Sequence, residues 1–263
     1  MSLRHAFVVA AYGHSPHLED CLRSLDAQQV RSPLVISTST PFAGLHQLAA
    51  RHGAALHVHA DRGGIGADWN AALTATDCAL VTIVHQDDVY LPEFAAAVIA
   101  AHARHPDVAL SFGDAREIFA DGRPRRGRLN QWVKSALVGA ASLGSDRIDG
   151  ALRRRLLLGF GNPILCAAVT FNRAVAPDFR FRRDLRTNMD WLAWIELARQ
   201  HPLLRIRKHL LLRRVHAASE TQHCIQDGAR EREDRLVFEQ LWPKPVARAL
   251  MGLYRFSYPA YSK

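Results

Sequence analysis

Apolar residues along the first 115 positions fall into two alternating textures. Short, nearly unbroken runs, Ala6 to Tyr12, Leu34 to Ser37, Ala55 to His59 and Cys78 to Val84, have the length and side-chain content of buried strands. Between them the apolar residues recur at three- and four-residue spacing, the mark of a helix with one buried face. Leu18, Cys21, Leu22 and Leu25 show it within Pro16 to Gln29, and further helical stretches run from Phe42 to His52, Ala67 to Ala75 and Pro92 to Arg104. A glycine-rich turn, Arg62 to Gly66, precedes the third of these helices. Strand and helix thus alternate, which predicts a doubly wound, mostly parallel sheet with right-handed crossovers and helices on both faces. Asp107 to Gly113 predicts one more strand, and there the alternation stops. Asp121 to Gly161 is basic and partly amphipathic, Cys166 to Asn172 is strand-like, and Asp190 to Gln200 and Asp227 to Leu241 carry helical spacing. The expectation is an α/β chain: a regular half over 1–115, and a mixed helical half of the same domain over 116–263 that covers the sheet edge.

In such sheets ligands sit beyond the carboxyl ends of the strands, so the loops beginning at Tyr12, Ser37, Ala60 and His85 are where chemistry is expected. The last is the most informative. Val84-His-Gln-Asp-Asp-Val-Tyr-Leu-Pro92 closes a buried strand with two adjacent carboxylates, Asp87 and Asp88. Such a pair is costly to take from water without a counter-ion. A divalent cation on a diphosphate answers that need, because Mg²⁺ or Mn²⁺ combines few carboxylates with phosphate oxygens. The same residues also suit an acidic turn whose Asp caps the following helix, and the residues alone leave both readings open.

Composition narrows the partners. The 263-residue chain carries a net charge of +9, with arginines concentrated at 123–128, 153–155, 180–186 and 205–214. That excess attracts polyanions: nucleic acid, an anionic membrane or a phosphorylated small molecule. No zinc-finger spacing and no aromatic-basic RNA-binding pattern accompanies the arginines, so no nucleic-acid partner is expected. Cys21, Cys78, Cys166 and Cys224 are far apart and form no CxxC pair, which argues against a zinc site or a disulfide framework and for a reducing compartment. The opening MSLRHAFVVAAYG reads as a first buried strand, and no apolar run approaches the ~18 residues of a membrane span. The expected location is cytoplasmic. The basic segment from Gly122 to Arg155 reads either as a lid over the site or as a peripheral contact with the anionic inner face of a membrane.

Taken in order, several segments resemble family 2 of the inverting nucleotide-sugar glycosyltransferases, which share the GT-A fold. FVVAAYGHSPHLEDCLRSLDAQ looks like that family's first strand, nucleotide loop and helix. GGIGADWNAAL resembles its glycine-containing loop and Ala-Arg-Asn helix start, and HQDDVYLPEF its metal-binding DxD-type motif in the xDD form. NMDWLAWIEL is similar to the Glu-Asp motif that supplies the catalytic base, and RRVHAAS to the late Arg-x-His-x-x-Ser segment. The resemblance covers roughly residues 5 to 115 and two later islands.

What it implies is a GT-A fold with a nucleotide-sugar-binding half, 1–115, and an acceptor-binding half, 116–263. The implied activity is metal-dependent inverting transfer from a nucleotide sugar, a UDP-sugar by preference, to a hydroxyl of a glycan or lipid-linked acceptor, as in cell-surface polysaccharide synthesis. Carried over by position, Asp88 is the ligand of Mn²⁺ or Mg²⁺. Asp87 contacts the donor ribose or the outer shell of the metal. Ala11, Tyr12, Ser37 and Asp68 complete the nucleotide-sugar site, with Tyr12 against the base. Asp190 is the general base for the acceptor hydroxyl, and Arg214 or His216 neutralises the diphosphate. By position alone, Trp191 beside that base suits an acceptor platform, and Asn162, at a turn before Pro163, the lining of the acceptor cleft.

Asp190 also fits a structural role, since Thr187-Asn-Met-Asp190 has the spacing of a helix capping box, and Trp191 and Trp194, three apart on a helix, also suit a core. Two departures from the family pattern stand out. Ser37 takes the place of the usual Asp after the second strand, and Asp68-Trp69-Asn70 that of Ala-Arg-Asn, so the nucleobase is left open. Two other functions share the fold. A sugar nucleotidyltransferase opens with a glycine-rich, Lys/Arg-bearing loop, unlike Tyr12-Gly-His-Ser-Pro16. A non-catalytic binding module would keep the fold without turnover.

Overall fold

The computed structural model describes residues 4–125, 129–216 and 220–260. Its first half follows the apolar pattern. β1 (His5–Ala11), α1 (Leu18–Asp26), β2 (Leu34–Thr38), α2 (Leu45–Arg51), β3 (Ala55–Val58), α3 (Ile65–Thr74) and β4 (Leu80–His85) succeed one another, followed by a short β5 (Val89–Tyr90), α4 (Phe94–Arg104) and β6 (Leu110–Phe119). α1 shows why these segments fold as they do. Leu18, Cys21, Leu22 and Leu25 bury one face, and Glu19 and Asp20 in the first turn with Arg23 in the last complement the helix dipole. The second half brings β7 (Pro124–Arg125), α5 (Leu129–Ala141), β8 (Arg147–Ile148), α6 (Ala151–Leu158), β9 (Val169–Asn172), α7 (Met189–Gln200), β10 (Leu203–Val215), α8 (Glu220–Gln226), α9 (Ala229–Leu241) and α10 (Lys244–Tyr254).

Among the described residues all ten strands join one sheet in the order β3-β2-β1-β4-β9-β6-β10-β5, with β7 on β6 and β8 on β10. The first four are parallel, as expected. β9 lies between β4 and β6 and is antiparallel to both, while β6 and β10 pair in parallel. This corrects the expectation that residues 116–263 only cover the sheet edge: they supply a central strand and its second neighbour. β9 is buried at all four positions, and Thr170 on it joins a polar chain that crosses the sheet. The Thr82 and Thr170 hydroxyls are 2.6 Å apart, and His5 reaches Thr82 at 2.8 Å on one ring nitrogen and Ser32 at 2.8 Å on the other. Burial drives the His5 pKa down to about 3, so this ring is neutral and the chain needs no charge.

The helices divide into two layers, each with its own core. α1, α2 and α4 cover one face, around Phe7, Leu22, Ile36 and Phe94. α3, α6, α7, α9 and α10 cover the other, around Ile83, Phe171, Trp191, Trp194 and Phe238. The four cysteines are buried free thiols. Among the described residues no helix is long and apolar enough to cross a membrane.

Candidate active site

Because β1, β2 and β4 are parallel and in register, with Ala11 opposite Thr38 and Ala10 opposite His85, their carboxyl ends emerge side by side. The Gln86 side chain locks the exit of β1. Its amide accepts from the Tyr12 N–H at 3.1 Å and donates to the Tyr12 carbonyl at 3.0 Å. Gly13 then turns with φ +59°, a conformation glycine adopts freely, and donates its N–H to Thr40 Oγ1 at 2.7 Å. Tyr12 is left two-thirds exposed (66%) on the rim. A groove of about 380 Å³ opens beside it between α1 and α2, bordered by His14, Ser15, Phe42 and Arg51.

The acid pair occupies the turn between β4 and β5. Asp87 Oδ1 accepts from the Ser15 hydroxyl at 2.5 Å, and His216 Nε2 lies 3.2 Å from Oδ2. Burial opposes charge on Asp87, but the hydrogen bonds from His216 and Ser15 outweigh it and hold its pKa below the usual value. The same contact, ahead of an opposing desolvation, raises the pKa of His216. The ring of His17, at the entrance to α1, is 5.6 Å from that of His216.

Asp88 is buried (4% exposed), and burial pushes its pKa up to about 7 despite the Arg214 N–H donated to Oδ1 at 2.8 Å. A carboxylate in that condition gains from a cation beside it. Among the described residues no three His, Cys, Asp or Glu side chains gather into a metal site of their own. A cation at Asp88 would therefore take its remaining ligands from diphosphate and water, which is the habit of Mg²⁺ and Mn²⁺, and the residues fit it.

Arg214 departs from its expected role. Its guanidinium is buried, donates to the Asp87 carbonyl at 2.9 Å and the Ala120 carbonyl at 2.8 Å, and lies 3.7 Å from Asp20. These contacts brace the acid turn from β10. Ala217, Ala218 and Ser219 of the same motif lie outside the described residues, as do Arg126 and Arg128 of the basic segment.

Asp190 stands in the first turn of α7, half-buried. Its Oδ2 accepts from Asn162 Nδ2 at 2.9 Å and its Oδ1 from the Trp191 N–H at 2.6 Å. Burial raises its pKa to about 6, with Arg230 and Lys134 among the charges that pull it back. The capping box that the spacing allowed does not form, because the Thr187 hydroxyl instead accepts from Arg230. The backbone N–H groups of Arg186, Thr187 and Asn188 go to the Glu233 carboxylate of α9 at 2.8–2.9 Å. Asp190 thus stands in the first turn of α7 without serving as the helix cap. β9 runs antiparallel to β4, so the segment before it, with Asn162, returns to the carboxyl end of β4. Tyr90, two residues past Asp88, donates its hydroxyl to the Ala167 carbonyl there at 2.8 Å.

Four other expected site residues have partners within the fold. Trp191 is fully buried, donates Nε1 to the Leu158 carbonyl at 3.0 Å and packs on Phe238 and Tyr254. It is core, not an acceptor platform. Ser37 is buried (1% exposed) and its hydroxyl lies 3.2 Å from His57 Nδ1 on β3, so it is spent within the sheet. Ala11 packs its side chain into the core, leaving only backbone near the cleft. Asp68 faces Ser39 and His59, with burial raising its pKa, while Trp69 stacks on His85 at 5.4 Å. Asn70 is structural, exchanging two hydrogen bonds with the Phe181 backbone at 2.7 and 2.9 Å. Sequence reasoning missed Ser15, His17, Gln86 and Glu233. The first two lie in the loop already marked after β1, but nothing in their spacing pointed at Asp87.

No protein-family model matches the chain, and no curated protein matches it in sequence. Solved structures do match. S. aureus TarS aligns with 89% of the chain at TM-score 0.64 and 14% identity, the chain spanning 39% of that protein, and its 1–349 portion is also solved in complex with UDP. The Pyrobaculum calidifontis mannosyltransferase PcManGT, in complex with GDP-Man and Mn²⁺, aligns with 98% of the chain and 73% of its own at TM-score 0.66 and 16% identity. Glucosyl-3-phosphoglycerate synthase from Mycobacterium tuberculosis, in complex with phosphoglyceric acid, aligns with 81% of the chain and 72% of its own at TM-score 0.51 and 15% identity. The chain has the fold of these glycosyltransferases, the GT-A fold that the motifs implied.

Proposed function

We propose that this chain is a metal-dependent glycosyltransferase that moves a sugar from a nucleoside diphosphate to a hydroxyl with inversion. One observation carries the reading: an acid pair, half-buried Asp87 and buried Asp88, closes β4, and the segment returning to that end of the sheet carries Asn162, the hydrogen-bond partner of a separate carboxylate, Asp190, whose pKa stands at about 6. The UDP, GDP-Man and Mn²⁺ bound by fold neighbours support a nucleotide-sugar donor and a divalent cation.

In this reading Tyr12, fixed by Gln86, lies against the nucleobase, and Asp87, kept ionised by Ser15 and His216, faces the ribose or the outer shell of the cation. Asp88 holds Mn²⁺ or Mg²⁺, which when bound supplies positive charge against the charge growing on the departing diphosphate. His216 adds a donor on the same side. Asp190, oriented by Asn162, takes the proton of the acceptor hydroxyl as that oxygen bonds to the anomeric carbon. The bond from that carbon to the diphosphate breaks on the opposite face, which inverts the centre. A base near pKa 6 is ionised at neutral pH and still basic enough to help. The donor favoured is a UDP-sugar and the acceptor a glycan or lipid-linked sugar of cell-surface polysaccharide synthesis at the inner face of the membrane.

Calorimetric titration with UDP, GDP, ADP and dTDP, each with Mn²⁺ and with EDTA, tests the donor site. Binding of one nucleotide that needs Mn²⁺ and is lost in Asp88→Ala is the expected result, and no binding of any of the four defeats the reading. Trp69 in place of the family's Arg, and the inward-turned Ser37, favour a second reading, a nucleotide-binding module without turnover. It predicts the same titration but no sugar transfer or donor hydrolysis with any donor.

A further inference from the structure

α5 and α6 pack on one another, and the short strands beside them fix which way each helix runs. β7, just before α5, pairs with Glu117 and Ile118 near the end of β6. β8, between the helices, pairs with Leu203 and Leu204 at the start of β10, which is parallel to β6. α5 therefore leads away from the carboxyl end of β6, and α6 leads back into Phe160-Gly161-Asn162, whose last residue holds Asp190. The first turns of α5 and the last turn of α6 thus share the end of this hairpin at which Asp190 stands.

Two cations at that end have no acid beside them. Lys134 lies on the packed face of α5, four and seven residues ahead of buried Val138 and Ala141, and helical side chains lean toward the helix N-terminus. Its charge is felt at Asp190, whose pKa it helps to lower. Arg155 lays its guanidinium 3.9 Å from the centre of the Trp242 ring, and the Trp242 N–H is tied to the Gly159 carbonyl at 2.7 Å. Stacking fixes the plane of a guanidinium and leaves the N–H fork at its edge open. The neighbours Arg153 and Arg154 donate to the carbonyls of Arg147, Leu143 and Ala198. Among the described residues the side chains of Arg155 and Lys134 have no ion-pair or hydrogen-bond partner. Phe160, 40% exposed, packs on Trp242 with ring centroids 5.4 Å apart and offers an apolar surface two residues before Asn162. The charge of the whole chain points the same way. Residues 1–115 hold six Lys and Arg against eleven Asp and Glu, whereas residues 116–263 hold 28 against 14. The half read as taking the diphosphate is acidic, and the cationic excess lies in the half read as taking the acceptor.

We propose that this end of the hairpin binds an anionic glycan acceptor, one whose sugars carry phosphate or carboxylate groups. Arg155 takes a charged group on its open fork, Phe160 supplies the surface for the sugar ring, and Lys134 neutralises charge nearer Asp190. A phosphate or carboxylate matches a guanidinium edge in both charge and geometry. A neutral glycan would leave both cations without a counter-charge. The assignment of this ligand as the acceptor rests on the reading of Asp190 as the base of a transferase; the binding of a charged sugar here does not.

The test is calorimetric titration of the full chain with glucose 6-phosphate, glucuronate and glucose, in EDTA so that no phosphate binds through a metal. Expected is that a charged sugar binds at least ~10-fold tighter than glucose and is weakened by salt; the tighter of the two names the anionic group. Arg155→Gln and Lys134→Gln should each lose ~3–10-fold of that affinity at the wild-type melting temperature, and Phe160→Ala should also weaken it. Asp88→Ala should bind the charged sugar as the wild type does, which separates this site from the donor site. A chain that binds charged sugars in this way but no nucleotide keeps the site and loses the transferase reading. A chain that binds a nucleotide with Mn²⁺ but neither charged sugar more tightly than glucose keeps that reading and overturns the proposal. The proposal is equally overturned if Arg155→Gln and Lys134→Gln bind as the wild type does. It also fails if Arg31→Gln, which removes an exposed charge from the loop before β2, costs as much as they do.

Discussion

Asp88 and Asp190 are carboxylates that folding withdraws from water before any ligand compensates them, and burial raises their pKa values to about 7 and about 6. If Asp190 accepts the acceptor proton it must be ionised, so turnover should rise with pH through a midpoint near 6, and Asp190→Asn should lose ~10²–10⁴-fold; a rate–pH profile of both proteins measures this. The same shifts bear on stability. The folded chain holds protons that the unfolded chain releases, so the stabilisation they bring is complete below the ordinary carboxylate pKa and is lost as pH climbs through about 6 and about 7. Asp88→Asn keeps an acceptor for the Arg214 N–H and removes the buried charge. It should stabilise the ligand-free protein by roughly 1–3 kcal/mol at about pH 8 and little at about pH 4, while abolishing Mn²⁺-dependent nucleotide binding; thermal melts at the two pH values read the first effect. Asp87 and Asp88 were legible in the sequence because adjacent acids at the end of a buried strand are physically anomalous. Trp191 was not. Whether an aromatic at a helix start faces a cleft or a core depends on what packs over it, here Phe238 of α9 and Tyr254 of α10, more than 40 residues further on.

At the scale of elements, α7 is held from outside. Three successive backbone N–H groups before it have one acceptor, the Glu233 carboxylate. Glu233→Ala should cost ~1–3 kcal/mol, speed hydrogen exchange at Thr187 and Asn188, and slow turnover without changing nucleotide affinity, with Glu233→Gln recovering part. The Gly-rich turn shows a similar dependence on a distant segment. A Cβ on Gly66 would run into the Arg182 carbonyl, so Gly66→Ala should lower the melting temperature by the cost of an overpacked contact, ~1–3 kcal/mol. The two-residue β5 read as part of an acidic turn and β6 runs on past Gly113 to Phe119, but most helices and strands of the first half could be read from spacing. β10 could not, because its apolar residues do not alternate: Leu203, Leu204, Ile206, Leu210 and Leu211 are interrupted by bulges between Ile206 and His209 and between His209 and Leu211. The segment therefore read as a run of arginines.

Over the whole molecule, the boundary near residue 115 divides charge and chemistry but not the fold. β6 has β9 on one side and β10 on the other, so residues 1–115 expressed alone would expose both the open edge of β4 and the truncated β6. That fragment should lack near-ultraviolet circular dichroism and cooperative melting, whereas the full chain should melt in one transition. The same insertion has a consequence in the order of synthesis. Thr82 and Thr170, which meet at 2.6 Å, are 88 residues apart in the chain. A nascent chain leaving the ribosome must carry the finished edge of β4 uncapped until β9 has emerged, an interval of ~5–20 seconds at ordinary elongation rates. Through that interval the edge is a template for strand addition by any neighbouring chain, so yield in the cell should respond to translation speed and to chaperone supply more than the stability of the finished protein would suggest.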